Sequence, residues 1–474
     1  MTDTQDAERR PESPLGRFLG VKYTYDRDEQ GRMTVTEQPY VSNMPRKGKP
    51  KHHEFWESRK NLNYVRRFMN SRGTSEWAGL GAMLEVAAQT IPPRVVLPDH
   101  VGDFGSLNGI VGLCDASGGG KTNAQKLGQR VLDMPGFEIQ TRVVATGEGI
   151  PTHYGHYNTK AKCVEYHTDA FLQIASDVDG LYAQMTRTGA TLLPAMLSAW
   201  DGGNLGGAIA TKEKMVPVGQ HRYRWGLIVG VQLLRSQRLL ETESSGLLQR
   251  ILLLPTDFRD RVDRSQEKMK PLAFAPPVGD AGDAVSEYLD LQNMGKDLPP
   301  DDMHVLTLPE CVLYDTDEFD LKKRQGRMPD PADHHLNLVR LKLAARFMWF
   351  EGRAEMNEED WQLAGYVIDR IHKPTRERLR QGAKESRRRA IEERELDRAL
   401  VRDSVDIRTS RVADLAQRMN DAMGDGEMTG GELQRKYKQA ERDDAIQSLV
   451  NAGIWVKTPT GTNRGGWRYS RAQS

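Results

Sequence analysis

The stretch GLCDASGGGKTN, residues 112–123, has the composition of a phosphate-binding loop. Small residues let backbone N–H groups converge on an anion, and a helix that begins after them adds a favourable dipole. In such a loop the lysine binds the β- and γ-phosphates and the threonine hydroxyl binds Mg²⁺. The predicted nucleotide ligands are Ser117, Gly118, Gly119, Gly120, Lys121 and Thr122, with Thr122 also a metal ligand.

The loop departs from the pattern G-x-x-x-x-G-K-[ST] at its first position, where this chain has Asp115. Aspartate tolerates left-handed backbone angles better than most residues, so we expect binding to survive. Its negative charge near phosphate is expected to weaken the affinity.

Hydrolysis of a nucleotide needs a carboxylate on the Mg²⁺ side and a base for the attacking water. Asp177 follows an apolar strand and is the predicted metal residue, with Asp179 second and helix capping as the alternative. Val178, beside Asp177, cannot act as a base. Glu148, between glycines in VVATGEG, is therefore the predicted catalytic base, and a solvated turn residue is the alternative.

Two further polar residues fit roles around a γ-phosphate. Gln232 ends the apolar segment RWGLIVGVQ and is predicted to sense the phosphate. Arg250, in LLQRILLLP, is predicted to reach the nucleotide of a neighbouring subunit and to stabilise transition-state charge. A surface ion pair is the alternative for this arginine.

A second constellation, His153, His156, Cys163 and His167, contains ligand types that bind structural zinc. Its spacing matches no standard zinc finger, so polar packing is the favoured interpretation and zinc stays an open alternative.

Alternating apolar strands and helices must position these residues. SLNGIVGLCD, FEIQTRVVATGEG, AFLQIASDVDG, RWGLIVGVQ and LLQRILLLP read as strands, while KTNAQKLGQRVLDM and TLLPAMLSAW read as helices. This order predicts an α/β fold with a parallel sheet covered on both faces. An N-terminal helical segment precedes it, with an expected core of Phe55, Trp56, Leu62, Val65, Phe68, Trp77, Leu80, Met83, Leu84 and Ala87.

The C-terminal segment reads as a winged helix, because three helices precede a hairpin. The first is expected to open with a Thr/Ser cap at TSRVADLAQRMNDAM, and the third to enter the major groove. Its predicted DNA-binding residues are Arg435, Lys436, Lys438, Arg442, Lys457, Arg464 and Arg468. Nine acids against eleven bases leave a protein-docking winged helix as the alternative.

The predicted division has five parts: 1–45, a disordered tail and a β-hairpin; 46–96, helical; 97–262, the ATPase core; 263–404, a loop and helical lid with a charged helix; and 405–474, the winged helix. The formal net charge of +1 excludes neither nucleic-acid nor protein partners. Three scattered cysteines and no long apolar run favour a soluble protein of a reducing cytoplasm, with no membrane partner.

The runs IPPRVVLPDHVGDFGSLNGIVGLCDASGGGKT, VVATGEGI, DVDGLYA, HRYRWGLIVGVQ and GLLQRILLLP resemble a family of P-loop ATPases from actinobacterial phages and plasmids, related to the YfjI-like proteins. The likeness covers roughly residues 54–260. It implies a RecA/DnaB-like motor core in mobile-element replication. Asp115 departs from the family's initial glycine, and Asp177-Val178-Asp179 replaces its usual Glu-x-Asp.

The leading hypothesis is a ring-forming, ATP- and Mg²⁺-dependent DNA helicase or translocase that acts on single-stranded or origin DNA in phage or plasmid replication, with primase or other replication proteins as candidate partners. The alternative is a nucleotide-switched initiator or helicase loader that binds DNA without unwinding it. A defence or regulatory ATPase is the third interpretation.

Overall fold

The computed structural model describes residues 21–27, 33–39, 52–206, 216–242, 245–257, 268–277, 303–461 and 466–472. Two compact units divide the chain, Met1–Ser386 and Arg387–Ser474. Three predictions lie outside the described residues: the tail that begins the 1–45 part, most of the loop that begins the 263–404 part, and the DNA ligand Arg464.

The helices of the first unit are α1 (His52–Glu57), α2 (Lys60–Asn70), α3 (Glu76–Ala88), α4 (Lys121–Gly128), α5 (Val178–Met185), α6 (Leu192–Asp201), α7 (Gln237–Glu241), α8 (Glu310–Arg324), α9 (Leu336–Phe350) and α10 (Glu358–Val367). A further helix, α11 (Lys373–Met423), runs through the division between the units.

The strands of the first unit are β1 (Val21–Arg27), β2 (Met33–Pro39), β3 (Val95–Leu97), β4 (Gly105–Ser106), β5 (Gly109–Asp115), β6 (Leu132–Asp133), β7 (Thr141–Arg142), β8 (Gly155–Asn158), β9 (Cys163–Tyr166), β10 (Ala170–Ala175), β11 (Arg224–Gln232), β12 (Ile251–Pro255), β13 (Leu272–Ala273) and β14 (His304–Val305). β1 and β2 form the predicted antiparallel hairpin.

A five-stranded parallel sheet of order β12-β5-β11-β10-β7 forms the centre of the first unit. Its inner strands are mostly apolar, as expected for a sheet whose two faces are covered by helices. β11 is buried from Arg224 to Val231, and β5 is buried up to Cys114. The expected α/β fold with a parallel sheet is therefore confirmed, and it is compatible with a RecA-like core.

Of the N-terminal helices, α3 packs directly on this sheet and α2 packs on α3, and the side chains that periodicity selected are all buried. α3 lies close to the strands because it carries glycines: a Cβ on Gly81 would lie 2.0 Å from Leu254 Cδ1. Phe55 and Tyr366 stack with ring centroids 5.1 Å apart, and Trp56 lies 4.6 Å from Trp77. Such aromatic pairs add about 0.5–1.5 kcal/mol each beyond their burial.

Buried charges at the amino-terminal edge of the sheet were not predicted from sequence. Arg224 is fully buried and donates to Asn108 Oδ1, Pro92 O and Ile91 O. Burial lowers the pKa of Arg224 to about 9. Arg346 and Glu85 form a buried ion pair of 3.0 Å. These partners offset the desolvation of the charges and fix how the helices sit on the sheet.

Two predicted elements differ in extent. The segment FEIQTRVVATGEG is strand only at β7, at the edge of the sheet, because its polar residues cannot form a long buried strand. The helix expected to begin at Thr409 does not begin there, since α11 continues through this position as one helix of 51 residues. Thr409 and Ser410 are exposed on that helix, where a threonine or serine lowers the stability of the helix only slightly.

The second unit has its own core, built from the end of α11, α12 (Gly430–Lys436), α13 (Arg442–Asn451), β15 (Glu427–Thr429), β16 (Trp455–Pro459) and β17 (Trp467–Arg471). The three strands form an antiparallel sheet of order β15-β17-β16. Thr429 and Glu432 form a capping box at α12. The two predicted short helices and the predicted C-terminal hairpin are all present.

Candidate functional site

The loop at residues 116–120, here called the glycine loop, joins β5 to α4 at the carboxyl edge of the sheet. Gly118 and Gly120 have φ of 78° and 80°, which favours glycine. The first helical bond runs from Ala124 N to Gly120 O, so the N–H groups of Lys121, Thr122 and Asn123 precede it. This helix start is a favourable place for an anion.

Lys121 is folded back onto the glycine loop. Its Nζ donates to Asp115 O at 3.3 Å and to Ala116 O. Burial lowers the pKa of Lys121, and the Asp115 charge opposes that effect. The ammonium therefore lies at the mouth of the loop, in exchangeable bonds with carbonyl oxygens. The Thr122 side chain beside it is exposed.

Asp115 is braced within the loop. Its Oδ1 accepts from Ala116 N at 2.7 Å, and its Oδ2 lies 3.1 Å from the Thr256 hydroxyl. The same hydroxyl contacts Gly119 O. A Cβ on Gly119 would lie 2.4 Å from Asp115 Cγ. Sequence reasoning missed Thr256, which follows β12 and is distant in the chain. Thr256 ties the carboxylate to the loop.

Gln232 and Asp177 lie on the same edge as the glycine loop. Gln232 pairs in register with Asp115, because β11 is the direct neighbour of β5. Asp177 follows β10, and a Cβ on Gly230 of β11 would lie 3.8 Å from its Cα. Parallel strands end at one edge of a sheet, where ligands of open α/β sheets bind. The structure thus brings together the loop, Gln232 and Asp177.

Asp177 also caps α5, since its Oδ1 accepts from Gly180 N at 2.8 Å. The capping alternative is therefore present, and it engages one carboxylate oxygen. Asp179, the second candidate, lies 3.4 Å from Arg235 Nη1 and 3.8 Å from Arg238 Nη1. Of the two acids, Asp177 keeps the more available carboxylate.

Glu148 lies in a short 3₁₀ turn, Gly147–Gly149, that follows β7 in the chain. Its Oε1 accepts from the Thr191 hydroxyl at 2.8 Å. Backbone N–H donation and the Thr191 hydroxyl lower the pKa of Glu148, so the carboxylate is ionised at neutral pH. Thr191, next to α6, was also missed from sequence. It fixes the direction of the Glu148 side chain.

The structure does not bring Arg250 to the glycine loop. Arg250 precedes β12, so it lies at the amino edge of the sheet, opposite the loop. Its guanidinium donates to Gly246 O and to Asp201 Oδ2, and it lies 5.0 Å from the Trp200 ring centroid. Only 12% of its side chain is exposed. Action on a neighbouring subunit would require the guanidinium to leave Asp201.

The four His and Cys residues of the zinc alternative are not assembled into a site. Cys163 pairs with Asn158 in the β8–β9 ladder, and the His153 ring packs on Phe171 at 5.0 Å. Burial lowers the pKa of His153. Within the part of the chain that the structure describes, no group of three His, Cys, Asp or Glu side chains is placed to hold a metal ion.

The predicted DNA ligands divide between two places in the second unit. The residues at α12 and α13 are Arg435, Lys436, Lys438 and Arg442. Lys457 and Arg468 lie on the β16–β17 hairpin. Arg442 pairs with Asp443 at 2.7 Å, and Arg468 pairs with Glu427 at 3.0 Å. Lys436, Lys438 and Lys457 are exposed.

Comparison of the chain with protein-family models and with curated proteins gives no match. Among the described helices, none combines the length and the apolar composition of a membrane span.

Proposed function

We propose that this chain is an ATP-hydrolysing DNA motor of the helicase or translocase type. The observation that supports it best is the placement of the glycine loop, Gln232 and Asp177 at the carboxyl edge of one parallel sheet. In this proposal the glycine loop is a P-loop and the second unit is a winged helix. The resemblance described above adds phage or plasmid replication as the setting.

The residues at the loop fit ATP and Mg²⁺. Backbone N–H groups at the start of α4 would donate hydrogen bonds to phosphate. The exposed Thr122 hydroxyl oxygen would bind the metal. Lys121 would exchange its carbonyl partners for phosphate oxygens, and Asp177 would bind metal-bound water. Bound Mg²⁺ supplies charge neutralisation at the phosphates.

Three side chains of this protein would have the remaining catalytic roles. Glu148, ionised and held by Thr191, would accept a proton from the attacking water. Gln232, next to Asp115 in register, would contact the terminal phosphate and change its contact after hydrolysis. Arg250 would act in trans in a ring, once released from Asp201.

The first test is ATP hydrolysis by the full chain with and without single-stranded DNA. We expect Lys121→Ala to lower turnover about 100-fold or more, because a charge-stabilising donor is lost. Lys126→Ala, on the same helix, is the matched control. Turnover that is equal in the presence and absence of DNA would contradict a motor.

A nucleotide-gated loader or initiator is the second candidate, and Asp115 is the observation that favours it. Its carboxylate adds negative charge to a loop that would bind phosphate. Strand displacement on a forked DNA separates the candidates, because a motor unwinds the fork and a loader only binds it.

A further inference from the structure

The second unit presents little free positive charge on α13, the helix that a winged helix would place in the major groove. Asp443 and Asp444 lie exposed in its first turn. The nearby arginines are paired: Arg408 lies 2.7 Å from Asp444, and Arg411 lies 3.9 Å from Glu441. Exposed carboxylates repel phosphate, so α13 is a poor surface for a DNA duplex.

The β16–β17 hairpin has the opposite character. Residues 445–474 contain Lys457, Arg464, Arg468 and Arg471 and no acidic residue. Arg464 lies outside the described residues. Arg468 of this hairpin is paired with Glu427 of β15, whereas Lys457 is exposed, and an exposed cation attracts a polyanion even in a chain of nearly zero net charge.

Trp467 is the exposed aromatic side chain of this hairpin. Period-two alternation puts it on the same face as Tyr469 and Trp455, which are buried in the unit's core. Trp467 lies farther along the hairpin, where it pairs with Pro459, and 48% of it is exposed. The core therefore leaves half of this indole to solvent.

Lys457 completes the arrangement. Its Nζ lies 4.1 Å from the centroid of the Trp467 ring. This cation–π contact orients the indole and holds the ammonium over the face of the ring, so a base would stack on the exposed part of the indole that the ammonium leaves open. A flat aromatic surface next to a cation matches one base and its phosphate in a single strand, because bases of a duplex are already stacked.

We propose that Trp467 and Lys457 form a stacking platform for an unpaired base, with Lys457 contacting the backbone phosphate. The platform rests on the proposed action on DNA and deepens it: the hairpin, rather than α13, holds the strand, and the ligand is single-stranded. No sequence-specific duplex contact by α13 is needed.

The test measures binding of the full chain to labelled oligo(dT) and to a duplex of equal length by fluorescence anisotropy. Trp467→Ala is expected to weaken single-strand binding about tenfold, and Trp467→Phe is expected to retain most of it. Val456→Ala is the matched control, because Val456 is 44% exposed on the opposite face of the same hairpin. ATP hydrolysis without DNA is expected to stay unchanged in all three variants.

A salt titration separates the two residues of the platform. Lys457→Gln is expected to reduce the salt slope of single-strand binding by about one, whereas Trp467→Ala leaves the slope unchanged. A merely structural role of Trp467 would lower the melting temperature and weaken single-strand and duplex binding equally, which overturns the proposal.

Other outcomes are also decisive. Unchanged single-strand affinity in Trp467→Ala overturns the platform and leaves the proposed motor intact. If the wild-type chain hydrolyses ATP but binds neither oligo(dT) nor the duplex, both the platform and the proposed action on DNA are overturned. Loss of self-association in Trp467→Ala, with single-strand affinity unchanged, assigns this face to a protein contact and overturns the platform.

Discussion

The Thr256 hydroxyl connects two segments that lie far apart in the chain, the end of β12 and the glycine loop. The sequence showed that Asp115 stands at the first position of the loop pattern, but it did not show that Thr256 contacts the Asp115 carboxylate. A lone threonine after an apolar strand has no distinguishing pattern. The same holds for Thr191, whose contact with Glu148 depends on how α6 packs. Sequence reasoning therefore finds charged candidates more readily than the hydroxyls that orient them.

Thr256→Val tests the brace on the glycine loop. The substitution keeps the shape and removes the hydroxyl that contacts the partly buried Asp115 carboxylate and Gly119 O, so we expect a loss of about 0.5–1.5 kcal/mol in unfolding free energy. We also expect roughly tenfold weaker ATP binding by calorimetry, because the Asp115 carboxylate is released toward phosphate.

Thr242→Val is the control for that experiment, since Thr242 is also buried and donates to a backbone carbonyl, Leu239 O. It is expected to lose stability with no change in ATP affinity. Equal ATP affinities for Thr256→Val and the wild type would contradict the hypothesis that the Thr256 hydroxyl holds the Asp115 carboxylate away from phosphate.

At the scale of elements, the reliable predictions were those forced by burial. RWGLIVGVQ became β11 at its predicted bounds, because the run between Arg224 and Gln232 is apolar, as is typical of a strand buried on both faces. The segment around Thr141 was predicted too long, because an edge strand is under no such constraint. The start of a helix at Thr409 was wrong, because capping residues are compatible with an exposed helix interior.

A π-helical segment, Ile368–His372, joins α10 to α11. Pro374 follows it and has no N–H to donate to the carbonyl of Arg370, which favours a locally widened turn. His372 is buried in this segment, and its Nδ1 accepts from Leu253 N at 3.0 Å. Burial, with the charges of Arg376 and Lys373, lowers the pKa of His372 to about 3.

His372 gives the fold a pH dependence of known sign. The unfolded chain takes up a proton on this ring below about pH 6.5, whereas the folded chain does not until about pH 3. The stability that the neutral His372 ring contributes to the folded state is fully present above about pH 6.5. It is lost progressively as the pH falls from 6.5 toward 3. We expect His372→Asn to reduce the slope of unfolding free energy between pH 5.5 and 4.5 by about 1.4 kcal/mol per pH unit.

Urea unfolding at several pH values measures that slope. His156→Asn is the control, because its ring is 64% exposed. An unchanged slope in His372→Asn would show that the buried ring does not determine the acid sensitivity.

At the scale of the whole molecule, the described residues form two separate hydrophobic cores. The members of the first lie at or before Leu379, and those of the second lie at or after Leu415. The helical residues 387–411 between them are mostly exposed. Each unit thus has the hydrophobic interior that independent folding needs.

Ending the chain at Ser386 tests this division. The shortened protein is expected to unfold cooperatively and to retain hydrolysis of ATP without DNA, because the glycine loop, Gln232, Asp177 and Glu148 all belong to the first unit. Stimulation by single-stranded DNA is expected to be lost. Calorimetry and turnover measurements check both expectations, and a fragment that fails to fold would contradict the division.

The pairing of Asp115 with Thr256 also bears on how such a loop can arise by mutation. With glycine at position 115, the Thr256 hydroxyl still has Gly119 O as an acceptor. With aspartate at 115 and no threonine at 256, the carboxylate would keep only the Ala116 N–H donor. Introducing threonine at 256 before aspartate at 115 therefore avoids the intermediate in which the carboxylate has a single donor.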